Sequence, residues 1–95
     1  MDDDGYPTEE ELQKIINWDW KDYKGLMDYV KSLWHWNGYG FNEMDNHYEV
    51  HTFGWSGNEE LIMAMKKNQM FWLLYWEQSR RGGHYIFSET TMSKL

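Results

Sequence analysis

The side chains best suited to chemistry in this chain gather in two short loops. The first is Gly54-Trp55-Ser56-Gly57-Asn58, which opens a helical pattern. Free backbone N–H groups at a helix start, together with the positive end of the helix dipole, form a ready anion site. Gly54 and Gly57 let a ligand approach the backbone closely, and Trp55 offers a face on which a base can stack. The second loop is Arg80-Arg81-Gly82-Gly83-His84, followed by Tyr85 as another stacking candidate. Its two arginines are the only ones in the chain. Adjacent planar guanidiniums suit bidentate capture of phosphate or carboxylate. Each loop also has a plainer explanation. The first can be a capped helix start, with Ser56 and Glu59 as a capping box and Trp55 plugging the core. The second can be a helix end, with cations favourable against the dipole and glycines as the cap.

Other constellations carry less. His47, Glu49 and His51 alternate on a strand and suggest a metal site. At about 3.3 Å per residue the two histidines stand roughly 13 Å apart, too far to share one ion easily, so a solvated or interface strand face is expected. Gly54-Trp55-Ser56-Gly57-Asn58 is close to the G-x-S-x-G nucleophile elbow, but Asn58 replaces the final glycine. The chain is too short for that hydrolase fold, and Glu77 and His84 do not assemble into a triad without invention. No catalytic residue, metal ligand or cofactor is therefore assigned, and the expectation is binding rather than catalysis.

The elements that must position these loops follow from periodicity. Residues 1–7 read as a disordered acidic leader, and residues 8–95 as a single α+β domain. Thr8 and Glu11 form a capping box for a helix over about 9–17, with Leu12, Ile15 and Ile16 as its apolar stripe. A second helix, capped by Asp19 or Asp22, runs to about Trp36. It buries Leu26, Tyr29, Val30 and Leu33 at i, i+3, i+4 and i+7. Residues 39–44 and 47–53 flank Asp45-Asn46 as a hairpin. One long helix is predicted over about 58–77, with a possible bend at Asn68. Its Phe71, Trp72, Tyr75 and Trp76 are apolar all round, which places core on one side and a subunit contact on the other. A last strand covers 84–88, and residues 89–95 read as frayed. The fold expected is α+β, a small antiparallel sheet of three strands packed by helices in the order α-α-β-β-α-β. A straight helix over 58–77 is about 30 Å long, so the two loops share a pocket only through a bend at Asn68 or a second subunit.

Composition bounds the partners. Ninety-five residues make one domain with a modest core. There is no cysteine, hence no disulfide and no thiolate metal cluster. No apolar run approaches the roughly 20 residues that span a bilayer, and the acidic start is unlike a signal peptide. Of 16 acidic residues, six lie among the first eleven positions; the other ten nearly balance nine Lys and Arg. A near-neutral body with an acidic leader argues against nonspecific nucleic-acid binding. Seven Trp, seven Tyr and four Phe exceed what so small a core can hide. Some should line a pocket or the interface of a homo-oligomer, most simply a two-fold dimer.

GWSGNEE at 54–60, MFWLLYW at 70–76 and SRRGGHYIF at 79–87 together resemble a family of short proteins found mostly in bacteriophage and prophage genomes. The resemblance runs from about residue 9 to residue 88 and carries no catalytic residue. It implies a phage origin and expression in a bacterial cytoplasm, a setting in which many small proteins counter host defences. The function expected is capture of an anionic, nucleotide-like small molecule, sequestering a signal of host defence. Trp55, Ser56, Gly57, Asn58, Arg80, Arg81, Gly82, Gly83, His84 and Tyr85 form the candidate site. The alternative is an inhibitor that binds a host defence protein directly through an aromatic or acidic surface.

Overall fold

The computed structural model describes residues 1–35, 37–44 and 47–88. The capping box at Thr8 forms as its sequence demands. The Thr8 hydroxyl accepts from Glu11 N–H, the Glu11 carboxylate accepts from Thr8 N–H, and α1 runs over Glu9–Ile16. Asp22 caps α2, Tyr23–Leu33, by accepting from Gly25 N–H. Three further elements follow: a short helix α3, Asn37–Gly40, then β1, Phe41–Glu43, and β2, His47–His51. The expected turn residues Asp45 and Asn46 lie outside the described residues, as do Trp36 and the terminal 89–95.

The predicted long helix is two helices and a strand. Helix α4 covers Ser56–Lys67 and α5 covers Gln69–Tyr75; β3 is Trp76–Arg80 and β4 His84–Ser88. Asn68 makes the break. Its backbone leaves the helical region, and its buried amide donates to the carbonyls of Ile15 (3.1 Å) and Trp18 (3.0 Å) at the end of α1. The chain then passes from helix to strand at Trp76 with no intervening loop. Trp76-Glu77-Gln78-Ser79-Arg80 continues a helix-compatible composition, so local propensity did not mark it as a strand. Pairing with β4, through a register shift between Trp76 and Gln78, makes it one.

The sheet is therefore four-stranded and antiparallel throughout, in the order β1-β2-β4-β3, rather than three-stranded. Alternation along β2 turns Tyr48, Val50 and then Thr52 inward. Phe41 and Phe87 join them against Ile15 of α1, Leu26, Met27 and Val30 of α2, Leu61 and Met65 of α4, and Phe71 and Leu74 of α5. Tyr23 sits amid aromatic neighbours, its ring 4.4 Å from Tyr75, 5.6 Å from Tyr48 and 6.2 Å from Phe71. The opposite sheet face carries His47, Glu49, His51, His84, Gln78 and Arg80, and the helical core cluster does not reach it.

Residues 1–7, expected to be a disordered leader, are described in contact with the body. The Asp2 carboxylate accepts from Asp4 and Tyr6 N–H (both 2.9 Å), Pro7 is buried, and the Tyr6 ring lies 4.7 Å from Trp55.

Candidate functional site

The two predicted loops meet within one chain, and Thr52 joins them. This residue is fully buried. Its N–H donates to Gly83 O (2.9 Å) and its hydroxyl oxygen accepts from Gly54 N–H (3.2 Å). The hydroxyl itself donates to Glu59 Oε2 at 3.4 Å. The β3–β4 turn presses onto this hydroxyl, where any Cβ on Gly83 would overlap it. Gly82 and Gly83 both take positive φ, at 81° and 74°, so the turn requires glycine twice. The break at Asn68 and the early end of α5 make this meeting possible without a second subunit.

The members of the first loop are occupied with structure. Trp55 lies over the start of α4, where a Cβ on Gly57 would strike its ring, and it stacks on His35 at 4.5 Å. Trp55 is the N-cap residue and supplies no side-chain cap bond. The expected Ser56–Glu59 box is replaced by other contacts, the Ser56 hydroxyl lying 3.0 Å from Tyr6 OH. Asn58 is fully buried, accepts from His35 N–H (2.9 Å), and donates to His35 O (3.1 Å) and Thr52 O (3.4 Å). It braces the end of α2 to α4, and its amide is spent on backbone partners.

The second loop is freer. Arg80 and Arg81 are exposed, and neither makes an ion pair among the described residues; Arg80 Nε donates to Gln78 Oε1 at 3.1 Å. Tyr85 turns to the opposite face, where it pairs with Val50 and packs near Trp72, 6.3 Å between rings. It does not join His84. Arg80, His84 and His51 instead occupy one row across β3, β4 and β2 on the helix-free face, and the His51 and His84 rings stack at 4.1 Å. Phe53 extends this row, its ring 5.8 Å from His51 and 5.7 Å from Tyr39. Its φ is +55°, a left-handed conformation that a bulky side chain avoids, and 49 % of its surface is exposed. Sequence reasoning did not assign Thr52, Phe53 or His51 to the site. The available signal was the inward register of a hydroxyl residue directly before the Phe53-Gly54 reversal.

Beside this row is a shallow depression of about 490 Å³, lined by His47, Glu49, Glu77, Gln78, Arg80, Ile86 and Ser88. Glu49 organises its floor. His84 Nε2 lies 3.0 Å from one carboxylate oxygen and His47 Nε2 3.4 Å from the other. An ionised carboxylate only accepts, so both imidazoles donate. Burial alone raises the Glu49 pKa, but the donations from His47 and His84 outweigh it and hold the carboxyl below its ordinary range. Burial, then the neighbouring His84, pushes His51 below the usual imidazole value against the pull of Glu49. The face thus combines the Arg80 guanidinium, which makes no ion pair among the described residues, a stacked imidazole pair and an exposed phenyl ring, beside the carboxylates of Glu49 and Glu77. No group of three or more His, Cys, Asp or Glu that could hold a metal ion occurs among the described residues. No described helix is long and apolar enough to cross a membrane. Comparison with known protein families, with curated proteins and with solved structures finds no match to this chain.

Proposed function

We propose that the protein captures a small anionic, nucleotide-type ligand on the helix-free face of its sheet, by binding and without catalysis. In the phage setting implied by the sequence resemblance, this amounts to sequestering a signal of host defence in the bacterial cytoplasm. The observation that carries the reading is the row of Arg80, His84, His51 and Phe53, with Arg81 beside it and a concave floor alongside. Charge-assisted bonds from Arg80 and Arg81 hold phosphate oxygens. Phe53 and the imidazole pair take the stacking role first given to Trp55 and Tyr85, whose rings are engaged elsewhere. The strained backbone at Phe53 supports this, because strain of that kind costs about 1–3 kcal/mol and concentrates at ligand clamps.

The test is a thermal-shift panel of inorganic phosphate, mononucleotides and cyclic dinucleotides against wild type, Arg80→Ala, Arg81→Ala and Phe53→Ala. A nucleotide that raises the wild-type melting temperature and loses its effect in these variants supports the reading. The absence of any stabilising anion overturns it.

A second reading, direct inhibition of a host protein, has its own observation. Met63, Met70 and Leu73 on α4 and α5 are 59 %, 43 % and 63 % exposed. Leu73→Asp abolishes inhibition on that reading and leaves nucleotide binding intact on the first.

A further inference from the structure

A second groove lies on the helical layer, between α1 and α2. It encloses about 660 Å³ and is lined among others by Glu10, Glu11, Lys14, Trp18 and Tyr29. Two rings form its wall. Trp18 and Tyr29 stack at 5.2 Å between centroids, with planes 24° apart. The indole is fixed in place because its N–H donates to Asp22 Oδ2 at 3.1 Å, the same carboxylate that caps α2. Over these rings sits the ammonium of Lys14, 4.7 Å from the Tyr29 centroid and 5.6 Å from that of Trp18. Lys14 forms no ion pair among the described residues. Its ammonium is held by the rings and by the negative potential around them.

Burial first, then the nearby carboxylates of Glu11 and Glu10, pushes the Tyr29 phenol above its ordinary range. Glu11 is itself engaged by the Met1 amino group at 2.7 Å and by Thr8 N–H at 2.8 Å, which leaves Glu10, exposed at the groove's edge, as the carboxylate with spare capacity. Aromatic faces with a carboxylate at the rim are the chemistry that recognises an organic cation.

We infer that this groove is a docking site for a lysine side chain of a partner protein, and that Lys14 occupies it as an internal stand-in. Two features select that occupant. The resident group is a primary ammonium on a four-carbon stem, so the site already fits that shape. The groove is open to solvent, so a side chain can enter while its backbone stays outside. The partner is therefore basic at the contact, complementary to an acidic α1 that begins Glu9-Glu10-Glu11. This site is separate from the arginine row on the sheet, and either can fail without the other.

The experiment follows the Trp18 indole N–H cross-peak by two-dimensional NMR while pentalysine is added to the full chain. Wild type is expected to show a saturable shift of that peak. Lys14→Ala removes the internal competitor, and the affinity is expected to rise about threefold to tenfold, the span of a cation–π contact of ordinary strength. Glu10→Gln, at an exposed position, is expected to weaken binding about twofold to threefold, the scale of an exposed charge pair. Tyr29→Leu is expected to abolish it, with circular dichroism checking that the variant folds. Equal response to pentaglutamate, no shift in either wild type or Lys14→Ala, or unaltered affinity in both Lys14→Ala and Glu10→Gln overturns the inference. A shift with free methylammonium but none with pentalysine overturns the assignment to a protein side chain.

Discussion

Trp55, Arg80 and Arg81 are adjacent to the same meeting of loops but answer to different forces. Arg80 and Arg81 are exposed and make no ion pair among the described residues, so truncating either to Ala is expected to change stability by under about 0.5 kcal/mol. Each is expected to cost roughly 1.5–3 kcal/mol of ligand affinity, one to two decades. Arg80→Lys is expected to lose much of the same, because an ammonium lacks the planar fork. Trp55 covers Gly57, stacks on His35 and meets the Tyr6 ring at a tilt, so Trp55→Ala is expected to lower stability by about 2–3 kcal/mol. Thermal melts with and without ligand separate the two classes. Titration gives a second residue-scale prediction. Glu49 is depressed when folded, so its stabilisation is present above its unfolded value of 4.5 and is lost as pH falls below that. His51 is also depressed, so below its unfolded value of 6.5 the unfolded chain binds more protons and stability falls on acidification. Melting temperature should therefore drop between pH 7.5 and pH 5, and His51→Gln should flatten that part of the profile. A melting temperature that does not fall across this interval contradicts the arrangement.

Among the elements, the leader and the α4–α5 break matter most. Residues 1–7 carry a turn around the Asp2 carboxylate, a Tyr6–Ser56 contact at 3.0 Å and a Tyr6–Trp55 ring pair. Their deletion is expected to lower the melting temperature by several degrees, about 1–2 kcal/mol for a chain of this size. A melt unchanged within a degree would support the expectation of a dispensable tail. The short helix after Asn68 was partly legible: the asparagine marked a bend, and the amide finds two carbonyls of α1 that only the folded chain brings there. The strand after it was not legible. Glu77, Gln78 and Arg80 suit a helix as well as an edge strand, and pairing with β4 decided between them.

The whole molecule leaves Met63, Met70 and Leu73 exposed on one pair of helices while burying Phe71, Leu74 and Tyr75 on the other side of α5. The core side of the aromatic helix is as expected, with Trp72 and Trp76 also packed against it, and the proposed subunit contact falls to the exposed Met63, Met70 and Leu73. Sedimentation velocity at micromolar concentration is expected to give a dimer, and Leu73→Asp a monomer. A monomeric wild type overturns this.

Much of this architecture could be read from residue order alone. The Thr8–Glu11 cap, Leu26, Val30 and Leu33 on the buried face of α2, and the last strand all rest on contacts within a few residues, or on a period of 3.6 or 2 that the chain writes out, whereas Tyr29, expected on that face, is only half-buried. The arginines and glycines of the second loop were legible for the same reason, since an RRGG turn declares both its charge and its left-handed backbone. What neighbouring residues could not specify was which side chains spend their polarity on the fold. Asn58 and Trp55 are as suitable for a ligand as Arg80 when read in line. They are consumed by His35, Thr52 and Tyr6, which stand six to 49 positions away. His51 and His84 reach one row through cross-strand pairing, Phe53 joins it by a ring contact with His51, and Thr52 knots two loops separated by some 30 residues. Such contacts depend on how sheet and helices close on one another, and a one-dimensional pattern carries no record of that closure.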